Sequence, residues 1–365
     1  MKGKVVLLIV LIASLFLMLF LGCQSKEVTS AKVYIQQDNW EKAKEQLEQA
    51  VNLYPNDPEA HYLLGEVYGR EKQWGKMNEQ FDQSLAIGPK FEQQIKSARE
   101  KYWVNTFNAG VGKISAEDPA AAIEKFKEAI VIDPSRVEAY KNLAVAYMRN
   151  NDLEASKKTY QDYLEGYPKD VEVMQQLAQV RFELKEYDQV VELENKILEI
   201  DPQNVDAIVN IALAYDLLGQ ADKAISSYTK ALELNPNDKD LLYNLGRLYF
   251  MNNDYENAIE TFNKVIALAP DDYDANANVG NAYLQMADHK RKSLVDKENQ
   301  NQTITKEERD QMIDLYCKAL PYLEKAASLK DDNANLWNNL GVAYVNCGDS
   351  EKGEQAFKRA EEVQQ

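Results

Sequence analysis

From residue 31 onward, apolar side chains return at intervals of 3, 4 and 7, the spacing that lines one face of an α-helix. A first stretch carries Ala31, Tyr34, Trp40, Ala43, Leu47 and Ala50 and closes at Pro55. A second opens at Pro58 and carries Leu64, Gly65, Tyr68, Trp74, Phe81 and Leu85, with Met77 at a place that takes a small residue elsewhere. Beyond residue 100 the pattern keeps a fixed beat. Asn108 and Asn142 are 34 residues apart, Gln176 fills the next slot, Asn210, Asn244 and Asn278 follow at the same interval, and Asn339 comes 61 later, 27 more than the period. Small residues stand two places after this column (Gly110, Ala144, Ala178, Ala212, Gly246, Gly280, Gly341), and an aromatic three further on (Tyr147, Tyr215, Tyr249, Tyr283, Tyr344). A second small residue recurs at Ala122, Ser156, Val190, Ala224 and Ala258, followed by a ring at Phe126, Tyr160, Tyr228 and Phe262. Pro134, Pro168, Pro202, Pro236 and Pro270 close the units. Small residues let two helix backbones approach, the rings fill the space beside them, and proline stops the second helix. Each unit is therefore predicted to be a helical hairpin.

The pattern resembles the tetratricopeptide repeat, whose period and whose small, Tyr, Ala, Phe and Pro positions match residue for residue from Val205 to Pro236 and from Lys239 to Pro270. The resemblance covers nearly everything after residue 30. It implies an all-α, right-handed α-solenoid superhelix of about nine hairpins, at 31–57, 58–91, 103–136, 137–170, 171–204, 205–238, 239–272, 273–333 and 334–363. As a guide to function it is weaker, because such arrays share a shape and not a chemistry. Residues 92–102 read as an early start of the third hairpin's first helix, protruding by roughly 16 Å, with Pro119 opening the second helix. In the eighth hairpin an insertion at about 289–314 continues the first helix through His289, Lys290, Arg291 and Lys292. Glu298 to Thr303 breaks that helix, and Thr305 with Glu308 forms the capping box of a long second one. The insertion is either a solvated extension or a docking element with a basic edge. The fifth hairpin departs from the pattern at Gln176, at Arg181 in place of the aromatic, and at Glu194 in place of a ring.

The first 22 residues do not belong to the array. Lys2 and Lys4 precede an uncharged run from Val5 to Leu21, followed by Gly22, Cys23 and Gln24. This resembles the lipobox of bacterial lipoproteins, which implies that Cys23 is acylated and becomes the mature N-terminus, although Phe20 and Leu21 depart from the usual residues there. An uncleaved signal anchor is the alternative, since the run is near bilayer-spanning length. Under both readings the lysines stay in the cytoplasm and residues 23–30 tether an exported body to a membrane of the cell envelope, facing the periplasm or exterior. Where the cell has two membranes, Gln24 in place of Asp implies the outer one by analogy with that family. The net charge of −17, from 59 acids and 42 bases, argues against a nucleic-acid partner and for a neutral or basic protein.

The Asn column (Asn108, Asn142, Asn210, Asn244, Asn278 and Asn339) falls on the first helix of each hairpin, the face that such arrays turn toward a concave groove. An amide carries both a donor and an acceptor, so a column of them suits the main chain of an extended peptide. Peptide-clasping members of the family use Asn in this register, which is what the resemblance implies here. The alternative is that each amide caps its helix or bonds to the neighbouring hairpin. Four residues earlier stand Glu138, Glu172, Asp206, Asp240 and Asp274. They would make the groove acidic, but acids in a first turn are also favoured by the helix dipole. Family members that clamp C-terminal carboxylates need Lys or Arg at this place, so that specificity is not expected.

Only two histidines are present, His61 and His289, in different hairpins and without clustered partners, so no catalytic, metal or cofactor site is expected. His61 occupies an apolar slot and reads as structural. Cys317 and Cys347 fall at the same end of neighbouring hairpins and can pair in an oxidising compartment, or serve as small core residues. The expected role is an envelope scaffold or adaptor and not an enzyme. The alternative is a regulatory subunit of an envelope protease or peptidoglycan enzyme, acting through the eighth hairpin.

Overall fold

A computed structural model describes residues 25–364. Its regular structure there is helical: eighteen α-helices and one 3₁₀ turn at Pro89–Phe91. They pair in sequence into α1 (Lys26–Gln36) with α2 (Trp40–Leu53), α3 (Pro58–Arg70) with α4 (Trp74–Ile87), α5 (Glu92–Ser115) with α6 (Pro119–Ile132), and α7 (Val137–Arg149) with α8 (Leu153–Gly166). Then follow α9 (Val171–Glu183) with α10 (Tyr187–Ile200), α11 (Val205–Leu217) with α12 (Ala221–Leu234), and α13 (Lys239–Met251) with α14 (Tyr255–Leu268). The last pairs are α15 (Tyr273–Asn299) with α16 (Lys306–Leu329) and α17 (Ala334–Cys347) with α18 (Ser350–Gln364). The chain divides into two compact bodies at Pro168/Lys169, the first holding α1–α8 and the second α9–α18.

Helix starts are capped by side chains. Asp57, Asp152, Asp238 and Asp272 each accept from backbone N–H groups of the first turn of α3, α8, α13 and α15. Helix ends within a hairpin are closed by one repeated turn. Its residue with positive φ is Asp38, Lys72, Glu117, Asn151, Lys185, Gly219 and Asn253 in the first seven hairpins. In the sixth, Gln220 N–H donates to the Tyr215 carbonyl at 2.9 Å and Gly219 N–H to that of Asp216 at 2.9 Å, which satisfies two otherwise orphaned carbonyls. Between hairpins the closing prolines Pro134, Pro202, Pro236 and Pro270 fall just beyond the ends of α6, α10, α12 and α14.

Within each body the core lies between the helices of a pair and continues into the next pair. Gly65, Gly110 and Gly246 face the rings of Phe81, Phe126 and Phe262, all of them buried. In the first body, Ile95 and Ala98 of α5 are buried as well, and Arg99 bonds to Asn78 and Asp82 of α4. The extension at 92–102 therefore packs along the second hairpin and does not protrude, because its apolar stripe finds a face to cover.

In the second body, α15 and α16 are lengthened around a capping box at Thr305 and Glu308. Hydrogen bonds from Lys297 and from the Thr305 backbone hold the Glu308 carboxyl down to a pKa of about 2. The basic edge expected there is largely neutralised from within. Arg291 and Lys292 pair with Asp288, Lys297 with Glu308, and Lys290 bonds to Gln311. Cys317 of α16 and Cys347 of α17 form a disulfide between the eighth and ninth hairpins, with their Cα atoms 5.1 Å apart.

Candidate peptide groove

Asn142, Asn210, Asn244, Asn278 and Asn339 each occupy the sixth residue of a first helix, α7, α11, α13, α15 and α17 respectively, and Asn108 lies late in the longer α5. A first-turn acid, Glu138, Asp206, Asp240 or Asp274, precedes four of them by one helical turn and is exposed in each case. The Asn column is half-buried except for Asn108, which is exposed.

Four of the amides use one N–H inside the protein. In the first body, Asn142 Nδ2 donates to the Glu138 carbonyl of its own helix at 2.8 Å. In the second, Asn210 donates to Glu194 Oε1 at 2.7 Å, Asn278 to the Tyr243 hydroxyl at 3.3 Å, and Asn339 to Asn281 Oδ1 at 2.9 Å. Those three bonds run to the preceding hairpin, as in the alternative considered for this column. Each fixes the plane of an amide while leaving its Oδ1 and second N–H. Asn108 and Asn244 make no side-chain hydrogen bond among the described residues.

A groove of about 330 Å³ opens between α9 and α11. Gln175, Gln176, Gln179 and Phe182 face Asp206, Val209 and Asn210 across it. Glu194 of α10 lies behind Asn210 and is fully buried. Burial pushes its carboxyl up to about 7; the bond from Asn210 works against that, and the charge of Asp206 adds to it. Its Oε2 has no hydrogen-bond partner.

Sequence reasoning missed three participants: Tyr243 and Asn281, which orient ladder amides, and Glu194, noted only as a departure. The signal was present in Glu194, since an acid at a core ring position needs a polar neighbour, and Asn210 is 16 residues on. The expected leader, residues 1–22, and Cys23 lie outside the described residues. Among the described residues no helix is long and apolar enough to cross a membrane, and no group of His, Cys, Asp and Glu could hold a metal ion. His61 is buried, with Nδ1 2.7 Å from Gln80 Oε1 and Nε2 3.1 Å from the Pro55 carbonyl oxygen.

Family models described as tetratricopeptide repeat match residues 113–180 and 217–277, 193–226, and 334–365, and one described as TPR repeat matches 31–71. Together these stretches make up more than half of the chain. No curated protein matches it. Among solved structures, the C-terminal part of the TPR repeat-containing protein from Cytophaga hutchinsonii is similar at 17% identity, over 70% of this chain and 95% of that one, with a TM-score of 0.55. A tetratricopeptide repeat protein from Parabacteroides merdae is similar at 20% identity, over 72% of this chain and 93% of that one, with a TM-score of 0.45. MamA from Desulfovibrio magneticus RS-1 is similar at 20% identity, over 47% of this chain and 96% of that one, with a TM-score of 0.41.

Proposed function

We propose, on the premise that this chain belongs to the tetratricopeptide-repeat family, that it is an exported, membrane-tethered scaffold or adaptor in the assembly of a cell-envelope complex. It holds another protein by an extended segment laid along its first helices. The observation that carries this reading is the amide column. Asn210, Asn278 and Asn339 are each oriented by a bond to the preceding hairpin, and each keeps an acceptor and a donor unspent. An extended main chain offers one N–H and one C=O per residue, and a column of fixed amides can meet both without reading side chains. The exposed acids Asp206, Asp240 and Asp274 one turn back, on a chain of net charge −17, favour a neutral or basic segment. The lysines at positions 2 and 4, the apolar run and Cys23 support export and tethering.

The test is crosslinking in intact cells followed by mass spectrometry of what is captured. Changing Asn210, Asn244, Asn278 and Asn339 together to Ala abolishes capture of the partner if the column holds it. Retained capture in that variant, with loss on deleting 289–314, would favour instead a regulatory subunit acting through the eighth hairpin. Separately, Cys23→Ala is expected to abolish incorporation of a labelled fatty acid; unchanged labelling would refute lipidation at Cys23.

A further inference from the structure

The register of Glu194 carries a buried ring in other hairpins: Phe81, Phe126, Tyr160, Tyr228 and Phe262. An acid in that place is costly unless it is well bonded. Glu194 has one hydrogen bond, from Asn210, and a buried Oε2 with no partner. Arg181, on the flanking α9, does not serve as its counter-ion. Its Nη1 donates to the Gln189 carbonyl at 3.0 Å and its Nε lies 3.9 Å from Glu186. Asn210 has turned a donor toward Glu194, which leaves its Oδ1 as an acceptor, and the exposed Asp206 lines the same groove one helical turn back. No Lys or Arg lines the groove between α9 and α11.

We propose that this stretch is a subsite for one cationic side chain, a lysine or arginine of the bound segment, received by Asp206 and Asn210 in front of the buried Glu194. The proposal rests on the peptide-holding reading above and gives it a position-specific preference. Phe182 supplies an apolar wall for the alkyl stem of such a side chain, and the charged head completes an environment of acceptors that the protein itself leaves open. Docking also has a proton consequence. Of the charged groups on the flanking helices, Asp206 acts on Glu194, raising its pKa, while Arg181 is engaged elsewhere. A cation brought to this place favours the ionised carboxylate, so Glu194 gives up its proton to solvent as the side chain docks. Preference for a cationic residue therefore grows as pH rises through about 7 and levels off above it.

The test pans the full-length protein, in detergent, against a random twelve-residue peptide library at pH 6 and pH 8. The readout is the ratio of basic to acidic residues among captured peptides. Wild-type protein is expected to enrich Lys or Arg roughly five- to tenfold at one position, more at pH 8 than at pH 6. Asp206→Asn and Glu194→Gln are each expected to lower the ratio, and Glu194→Gln to remove its pH dependence. Gln at 194 keeps an acceptor for Asn210, so folding is preserved, as circular dichroism would verify. Neutralising two acids outside the groove (Asp222→Asn with Glu256→Gln) controls for overall charge and leaves the ratio as in wild type. An equal ratio in wild type and the groove variants overturns the subsite while peptide capture stands. No capture by wild type at either pH overturns the peptide-holding reading and the subsite together.

Discussion

A Cβ built on Gly110 of α5 would lie 2.7 Å from Cε1 of Phe126 on α6, and the ring it would meet is fully buried. Glycine and ring are a fitted pair, so Gly110→Ala forces a shift of packed atoms and should cost about 1–3 kcal/mol. Two residues further along the same helix, a Cβ on Gly112 meets nothing within 4 Å. Gly112→Ala should therefore stabilise by up to about 1 kcal/mol through helix propensity alone. Urea unfolding of the two variants would show shifts of opposite sign.

The turn inside each hairpin offers a test of backbone strain without side-chain packing. Gly219 holds φ at +70° with open space around its Cα, whereas Lys185 holds +61° at the equivalent place one hairpin earlier. Gly219→Ala should cost about 1 kcal/mol, the penalty of a left-handed L-residue. Lys185→Gly should gain a few tenths to about 1 kcal/mol, offset in part by the freer unfolded chain. Thermal melts of both variants measure this difference, and no change in either would mean that the turn relaxes at no cost.

What the chain disclosed in advance, and what it withheld, follows from which interactions are local. The period, the small residue facing a ring and the closing prolines are set by helix packing at fixed register, so Gly246, Phe262 and Pro270 announce their places. The left-handed turn position was not legible, because Asp38, Lys72, Glu117 and Asn151 all occupy it. A strain of about 1 kcal/mol is small enough to be overridden by the packing on either side. The Asn column was legible as a register; its bonding was not, since the partners Tyr243, Glu194 and Asn281 come from the preceding hairpin and differ each time. The packing of residues 92–102 against α4 likewise depends on a neighbour 10 or more residues away, Asn78 and Asp82 for Arg99.

The bond between Cys317 and Cys347 closes a sequence separation of 30 residues. On a chain-entropy account a loop of that size is worth about 3–4 kcal/mol to the folded state. In an array each hairpin contacts its neighbours, so the loss on Cys317→Ser with Cys347→Ser should fall on the eighth and ninth hairpins and not be spread along the chain. Hydrogen exchange would report it as faster opening of α17 and α18, with protection of α11 to α14 unchanged. Uniform loss across the second body would mean that its hairpins unfold as one cooperative unit.

Stability should also carry the signature of Glu194. Its ordinary value is 4.5 and burial raises it to about 7 in the folded protein, so the folded state binds the proton more tightly than the unfolded chain does. A raised carboxyl of this kind contributes its full stability below about 4.5 and loses it as pH rises through about 7. A difference of that size corresponds to an upper figure of about 3 kcal/mol between pH 4 and pH 8. Glu194→Gln keeps the shape and the acceptor for Asn210 but has no proton to lose, so its unfolding free energy should lack this part of the slope. Equilibrium urea unfolding at pH 5, 6, 7 and 8 would show the wild type losing stability relative to the variant across that interval. Parallel curves for the two would mean that Glu194 is ionised in the folded protein throughout, and that the cost of its burial is met by solvent reaching Oε2.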